Sequence, residues 1–293
     1  MTRNPPDLPE EPFDEAGGAH VGDRQFAITL ARGLDVLRAF SAEAPVLGNK
    51  EISQRTGLPK ATVSRLTYTL TSLGFLHFLP EAGKYGKYVL GRAVLSMAHP
   101  LLANIKLRQA ARTPMRELAD AVGGAVSLGV RDGLNMVYVH TAKRVESAGW
   151  ISDIGKTFAL GRSCMGDAFL AALPQGTRES LLSDIRTSMP DEWEATASRI
   201  ERSREQVARL GFCVHEGLVR PSVHVVAAPI HLPDQGEPYV FNCAITAEAS
   251  SHARLFDDIG PRLAELVAQM KERLANAEAE PPQPLPDAWA RRH

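Results

Sequence analysis

The chain has 293 residues, 44% hydrophobic and 23% charged, enough for two modest globular domains of ordinary soluble composition. No run of roughly eighteen apolar residues occurs, and no apolar stretch follows a basic start, so neither a membrane span nor a secretory leader is expected. Three scattered cysteines (Cys164, Cys213, Cys243) lack C-x-x-C spacing, which fits free thiols in a reducing, cytoplasmic setting.

The net charge of −1 conceals an asymmetry: residues 24–92 hold ten Lys/Arg against four acids (+6), while residues 1–23 hold one Arg against six acids (−5). Residues 1–24, with four prolines and few large apolar side chains, are expected to be a disordered leader. A first helix is expected from about Thr29 to Ser41, with Leu30, Leu34 and Leu37 on one stripe and Val36 and Phe40 beside it. A short helix then ends at Gly57, and a second starts near Lys60, with Val63, Leu66, Leu70 and Leu73 at helical spacing on one face. Its other faces keep Lys60, Ala61, Thr62, Ser64, Arg65, Tyr68 and Thr69. Phe75–Leu79 and Tyr88–Leu90 read as two strands of a wing whose tip carries Lys84, Tyr85 and Lys87. Residues 25–91 are thus a winged helix-turn-helix, and residues 92–106 a linker helix that Pro100 should kink or interrupt.

A helix through Leu107–Val122 ends at Gly123-Gly124. Strands at Ala125–Val130 and Asn135–His140 follow, then a loop-rich stretch to residue 162 and a small helix over Ser163–Leu173. A long amphipathic helix fits Glu192–Leu210. Strands at Val223–Leu232 and Tyr239–Thr246 precede a last helix carrying Ile259, Leu263, Leu266, Met270 and Leu274. Residues 107–276 form an α+β sensor-like domain, and residues 277–293, rich in proline, a disordered tail.

Double-stranded DNA is the partner that these features imply. A helix braced by aliphatic residues, with hydroxyls and cations outward, suits a major groove, and the basic excess coincides with it. Lys60, Ala61, Thr62, Ser64, Arg65 and Tyr68, with Lys84 and Lys87 on the wing, are the expected contacts. Arg65 can pair with guanine O6/N7 in a bidentate bond, whereas Lys60 suits a phosphate. The alternative for Arg65 is an ion pair within the domain that orients the helix.

The chain resembles the IclR family of bacterial transcription regulators over about residues 25–276. The resemblance rests on Ala31-Arg-Gly-Leu-Asp-Val-Leu37, Thr56-Gly-Leu-Pro-Lys-Ala-Thr-Val-Ser-Arg-Leu66, Leu73-Gly-Phe75 and Tyr88-Val-Leu-Gly91. In the second half it rests on Leu160-Gly-Arg-Ser-Cys-Met-Gly-Asp-Ala-Phe-Leu-Ala171, Gly211-Phe-Cys-Val214 and Ala227-Ala-Pro-Ile230. It implies a winged helix-turn-helix, a dimerising linker helix and a GAF-like effector-binding domain, in a dimer or tetramer answering to a small carboxylate or aromatic acid. Where members often read Thr-Ala-Leu-Gly-Lys-Ala, this chain has Ser163-Cys-Met-Gly-Asp-Ala168, an anion in place of a cation.

By the same resemblance the effector pocket is closed by the turn before Ala168, by residues around His215 and by the later strands. Ser163, Cys164, Met165 and Gly166 are the expected anion-facing turn, since a helix N-terminus presents unpaired amides. His215 and Thr246 are the expected side-chain donors, with Leu160, Met136, Val225 and Ala244 beside them. A pocket filled by the protein's own Met165 and Phe169, leaving an effector-free regulator, is the alternative. Cys213, His215, His224 and His231 match no recurrent zinc spacing, so no metal and no cofactor are expected. Cys164 at a helix start would have a lowered pKa, leaving redox sensing open, but no base accompanies it. No catalytic residue is therefore named, and an enzyme built on the second domain is the remaining alternative.

Overall fold

A computed structural model describes residues 26–83, 85–143, 153–232 and 236–279. Lys84, the leader and all but the first residues of the tail fall outside them. The chain divides into two compact units between Leu102 and Ala103.

The first unit contains α1 (Ile28–Arg38), α2 (Asn49–Thr56), α3 (Lys60–Ser72), β1 (Leu76–Leu79), β2 (Lys87–Leu90) and most of α4 (Arg92–Asn104). Gly57 ends α2 in the left-handed region at φ 68°, a conformation that a side chain would strain, and Pro59 stands immediately before α3. Ser53 Oγ donates to the Leu58 carbonyl at 2.6 Å, which fixes the turn between the two helices. Val36, Phe40, Leu47, Ile52, Val63 and Leu76 form the core beneath them. β1 and β2 pair antiparallel from Leu76↔Leu90 to Leu79↔Lys87, and Leu47 forms a separate antiparallel bridge to Tyr88.

Two sequence expectations are corrected here. The buried stripe of α1 is Gly33, Val36 and Ala39, while Leu30 and Leu34 are 64% and 45% exposed. A Cβ on Gly33 would lie 3.9 Å from Leu66 Cδ2, so the residue without a side chain marks where α1 approaches α3. On α3, Leu73 at the C-cap is 61% exposed, and the buried Thr67 takes the place expected for it. Thr67 Oγ1 lies 3.2 Å from both Asn49 Oδ1 and the Ser64 carbonyl, so a hydroxyl is accommodated there. α4 runs through Pro100 as one helix and buries none of its residues.

The second unit carries α5 (Lys106–Val122), β3 (Ala125–Asp132), β4 (Asn135–Lys143), β5 (Thr157–Ala159), α6 (Cys164–Ala172), α7 (Gln175–Ser188) and α8 (Trp193–Leu210). It continues with β6 (Cys213–Glu216), β7 (Val223–Ile230), β8 (Tyr239–Thr246), a single turn α9 (His252–Arg254) and α10 (Gly260–Ala279). α10 thus extends three residues into the segment read from sequence as tail. The six strands form one antiparallel sheet in the order β5-β4-β3-β8-β7-β6. α5 and α10 pack on one face and α6 and α8 on the other, giving the α+β, GAF-like arrangement. Under α6 the core gathers Met136, Tyr138, Met165, Phe169, Cys213 and Val240. Three elements were not expected from the sequence, α7, β5 and β6: α7 fully buries Ile185 alone, and β5 and β6 have three and four residues, too few for a visible alternation.

Ile52 has no exposure and joins α2 to the core behind α3. Ile52→Ala is expected to cost about 2–5 kcal/mol of stability, read as a lower urea midpoint for the transition that abolishes DNA binding.

Candidate nucleic-acid interface and effector site

α3 presents Lys60, Ala61, Ser64, Arg65, Tyr68 and Thr69 to solvent, with Thr62 half-buried at their edge. The opposite side, Val63 and Thr67, is sealed against the core. Arg65 makes no ion pair among the described residues, so the intradomain pairing considered for it is absent there. Instead Arg55 serves the interior, its Nη1 donating to the Ala39 carbonyl at 3.1 Å.

On the wing, Lys87 is half-buried and its Nζ lies 2.9 Å from Glu51 Oε1, while Glu51 Oε2 accepts from the Gly48 N–H at 2.6 Å. The Gly48 amide and Lys87 hold the Glu51 carboxyl below its usual pKa. Lys87 therefore ties the wing to the start of α2, and part of its charge is satisfied within the domain. Tyr85 stands exposed at the wing tip, and Lys84 lies outside the described residues.

In the second unit the expected anion-facing turn is closed. Ser163 is the N-cap of α6, and its Oγ accepts from the Gly166 N–H at 3.0 Å. Leu160, Ser163, Cys164, Met165 and Gly166 are all buried. A Cβ on Gly166 would lie within 2.0 Å of the Leu160 carbonyl oxygen, so backbone abuts backbone there. Met165 fills the space over Gly129, where an added Cβ would meet its sulfur at 2.3 Å.

Sheet register brings together the remaining expected residues. His215 pairs with Val225, and Val225 with Ala244, in one row across β6, β7 and β8; Thr246 pairs with Val223 one row further. Val225, Ala244 and Thr246 are half-buried. One row inward, Asn242 Nδ2 donates to Tyr138 Oη at 2.8 Å, and Ser127 Oγ lies 3.0 Å from Thr141 Oγ1. Burial pushes the Tyr138 hydroxyl up to about 12, so it stays protonated.

The sequence signalled Asp167 only as a departure from the family pattern and did not single out Arg199 or Ser203. Asp167 has no exposure, yet Arg199 Nε reaches its Oδ2 at 3.0 Å, Ser203 Oγ donates to the same oxygen at 3.0 Å, and His215 Nε2 lies 3.1 Å away. Arg199 Nη2 also donates to the Gly161 carbonyl at 2.5 Å. Although a serine, a histidine and an aspartate meet here, Ser203 Oγ and Asp167 both sit on His215 Nε2. A hydrolytic relay needs the two on opposite ring nitrogens, so this geometry braces helices and does not activate the hydroxyl.

Burial overturns the expectation for the Cys164 thiol. Cys164 is not an activated thiol: desolvation and the Cys213 thiol, with Sγ–Sγ 3.8 Å, push its pKa well above the ordinary value. The described residues contain no group of three His, Cys, Asp or Glu side chains placed to hold a metal. His224 Nδ1 pairs with Ser250 Oγ and His231 Nε2 with the Ala172 carbonyl.

Comparison with known proteins follows the same division. The IclR helix-turn-helix domain model matches residues 29–80, and the bacterial transcriptional regulator IclR C-terminal model matches residues 99–273. The HTH-type transcriptional regulator TsaQ1/TsaQ2 of Comamonas testosteroni is 32% identical over 85% of this chain and 89% of its own length. An IclR family transcriptional regulator from Brucella abortus aligns with TM-score 0.76 and 37% identity, covering 88% of this chain and 94% of that one. An IclR homolog of Microbacterium hydrocarbonoxydans, solved with 4-hydroxybenzoate, shares the fold at TM-score 0.67 and 19% identity, covering 85% and 99%.

Breaking a buried ion pair strands the remaining charge. Arg199→Met is therefore expected to lower unfolding free energy by about 3–5 kcal/mol, with partial recovery in the Asp167→Ala/Arg199→Met double variant. Urea denaturation checks this; a loss under about 1 kcal/mol would place the pair among solvated ones.

Proposed function

The chain belongs to the IclR family of transcription regulators, and from that premise we propose that it reads its operator through α3 and answers to a small carboxylate or aromatic acid held by the second unit. The observation that carries the DNA reading is the exposed outer face of α3, where Lys60, Ser64, Arg65 and Tyr68 project from a helix sealed on its other side. Arg65 supplies the base-specific pairing and Lys60 a phosphate contact, with Ala61, Thr62 and Ser64 close to base edges. The wing contributes Tyr85 at its tip, and Lys87 acts chiefly through its hold on Glu51.

The chain acts as a dimer or a tetramer of dimeric units. Supporting this, α4 buries no residue and exposes Leu95, Met97 and Leu101, apolar surface of the kind that marks an association site. Two recognition helices in one dimer would favour a pseudo-palindromic site with half-sites about one helical turn apart. No helix of the described residues is long and apolar enough to cross a membrane, and a cytoplasmic setting suits a DNA-bound regulator with free thiols.

An effector must bind two dimer arrangements unequally to regulate. The half-buried residues Val225, Ala244 and Thr246 favour an acid with an apolar body, and the complex of the Microbacterium fold neighbour with 4-hydroxybenzoate makes that compound a suitable probe. The effector-free alternative draws on Met165, which packs against Gly129 and fills part of the interior. A midpoint that rises with added acid favours the effector reading, because a ligand of the folded state must stabilise it.

Arg65→Ala is expected to weaken binding to a DNA site selected from a random library by about five- to a hundredfold, with relaxed base preference at one position per half-site. Fluorescence anisotropy at fixed salt measures this; unchanged affinity and preference would move the recognition surface off Arg65. Leu95→Glu with Leu101→Glu is expected to halve the mass measured by light scattering while helical content is retained.

A further inference from the structure

Charge is divided unevenly between the DNA-facing unit and the segment ahead of it. Residues 7–15 hold five carboxylates, Asp7, Glu10, Glu11, Asp14 and Glu15, and Asp23 adds a sixth acid just before Arg24. From Ile52 to Pro80 the sequence has no acid, and its cations are Arg55, Lys60 and Arg65. We infer that residues 1–23 lie on the outer face of α3 when DNA is absent, as an acidic stand-in that DNA displaces; the inference rests on α3 being the DNA-reading face.

That face calls for an anion. Lys50 on α2 and Lys60 and Arg65 on α3 are exposed and make no ion pair among the described residues. α3 itself carries no acid from Lys60 to Ser72. Two acids of the unit are engaged elsewhere: Asp35 lies 3.9 Å from Arg38, and Glu51 takes Lys87 and the Gly48 amide. Like charges gathered on one surface raise each other's energy, and an arriving polyanion relieves that repulsion. The chain's own dense run of negative charge is the leader.

The leader is tethered to the unit that it would cover. It joins the described chain at Phe26, just before α1, and α1 approaches α3 where Gly33 lies beside Leu66. The stretch from Phe26 to Gly33 covers only about 10 Å at helical rise, and Arg65 is the neighbour of Leu66. A segment of 23 residues spans up to about 80 Å when extended. A unit of about 100 residues has a radius of gyration of about 13 Å, so length is no obstacle. A tethered partner is present at an effective concentration in the millimolar range, so weak charge pairing is enough to fill the face for much of the time. The other terminus differs: residues 277–293 hold three acids against two arginines and follow the second unit.

A leader that covers the face for half to nine-tenths of the time lowers apparent DNA affinity by about two- to tenfold. The effect falls on every sequence alike and leaves base preference unchanged. Its consequence is lower occupancy of non-specific duplex, whose binding is almost wholly electrostatic.

The test compares the full chain with a full-length variant carrying Asp7→Asn, Glu10→Gln, Glu11→Gln, Asp14→Asn, Glu15→Gln and Asp23→Asn. Acetylation of Lys50 and Lys60 by acetic anhydride, read by mass spectrometry, reports on the face without DNA, with Lys271 of α10 as internal control. Fluorescence anisotropy from about 50 to 300 mM salt reports on binding of the selected site and of a random-sequence duplex. Both lysines are expected to react about twofold or more faster in the variant, with Lys271 unchanged. The variant is also expected to bind both duplexes about two- to tenfold more tightly at low salt, with the gap closing as salt rises. Equal reactivity or equal affinity in the two proteins overturns the inference. Tighter binding with equal reactivity does so too, because the acids then repel DNA from a distance and do not cover α3. The α3 reading is judged separately: if the selected duplex fails to slow Lys60 acetylation in the variant, that reading falls whatever the leader does.

Discussion

A carboxylate with no exposure to water sits in the first turn of α6, and its partners come from two other elements: Arg199 and Ser203 on α8 and His215 on β6. An ion buried in this way is tolerated only when paired and hydrogen-bonded on most sides, so these three residues must keep their places. That requirement joins α6 to α8 and to the edge strand of the sheet. It also gives the helix start its own negative charge. The turn that would otherwise attract an anion is thus satisfied from within.

The DNA-facing unit is governed by a simpler constraint. One side of α3 must be buried for the other to be presented, and Val63 and Thr67 supply the buried side. α1 approaches α3 at Gly33, beside Leu66. The wing is held by Leu76 and Tyr88 packed into the core and by an ion pair: Lys87 and the Gly48 amide share the Glu51 carboxylate, so one cation of the basic segment does structural duty. The exposed cations left for phosphate and bases are Arg32 on α1, Lys50 on α2, Lys60 and Arg65 on α3 and Arg92 on α4.

These two halves differ in how they would move. The α6 network is buried and its parts are mutually dependent, which suits a fixed reference surface. α4 is the reverse, an amphipathic segment with its apolar residues uncovered, which suits contact with a second copy.

Local pattern was enough to read the helix-turn-helix, the wing, most strands of the sheet and the family. Gly57 and the steps from Val63 to Leu70 each act over a few residues, so the chain displays them directly. The stripe of α1 was misread because Leu30, Leu34 and Leu37 have helical spacing, as do the truly buried Gly33, Val36 and Ala39. Only the neighbour's shape chooses between two such stripes. The same holds for the effector region: Ser163 to Gly166 have the composition of an anion-binding turn, and Asp167, Arg199, Ser203 and His215 are dozens of residues apart in part. Their meeting is a matter of how α6 lies on α8 and β6, which burial and pairing decide in three dimensions and no spacing along the chain records.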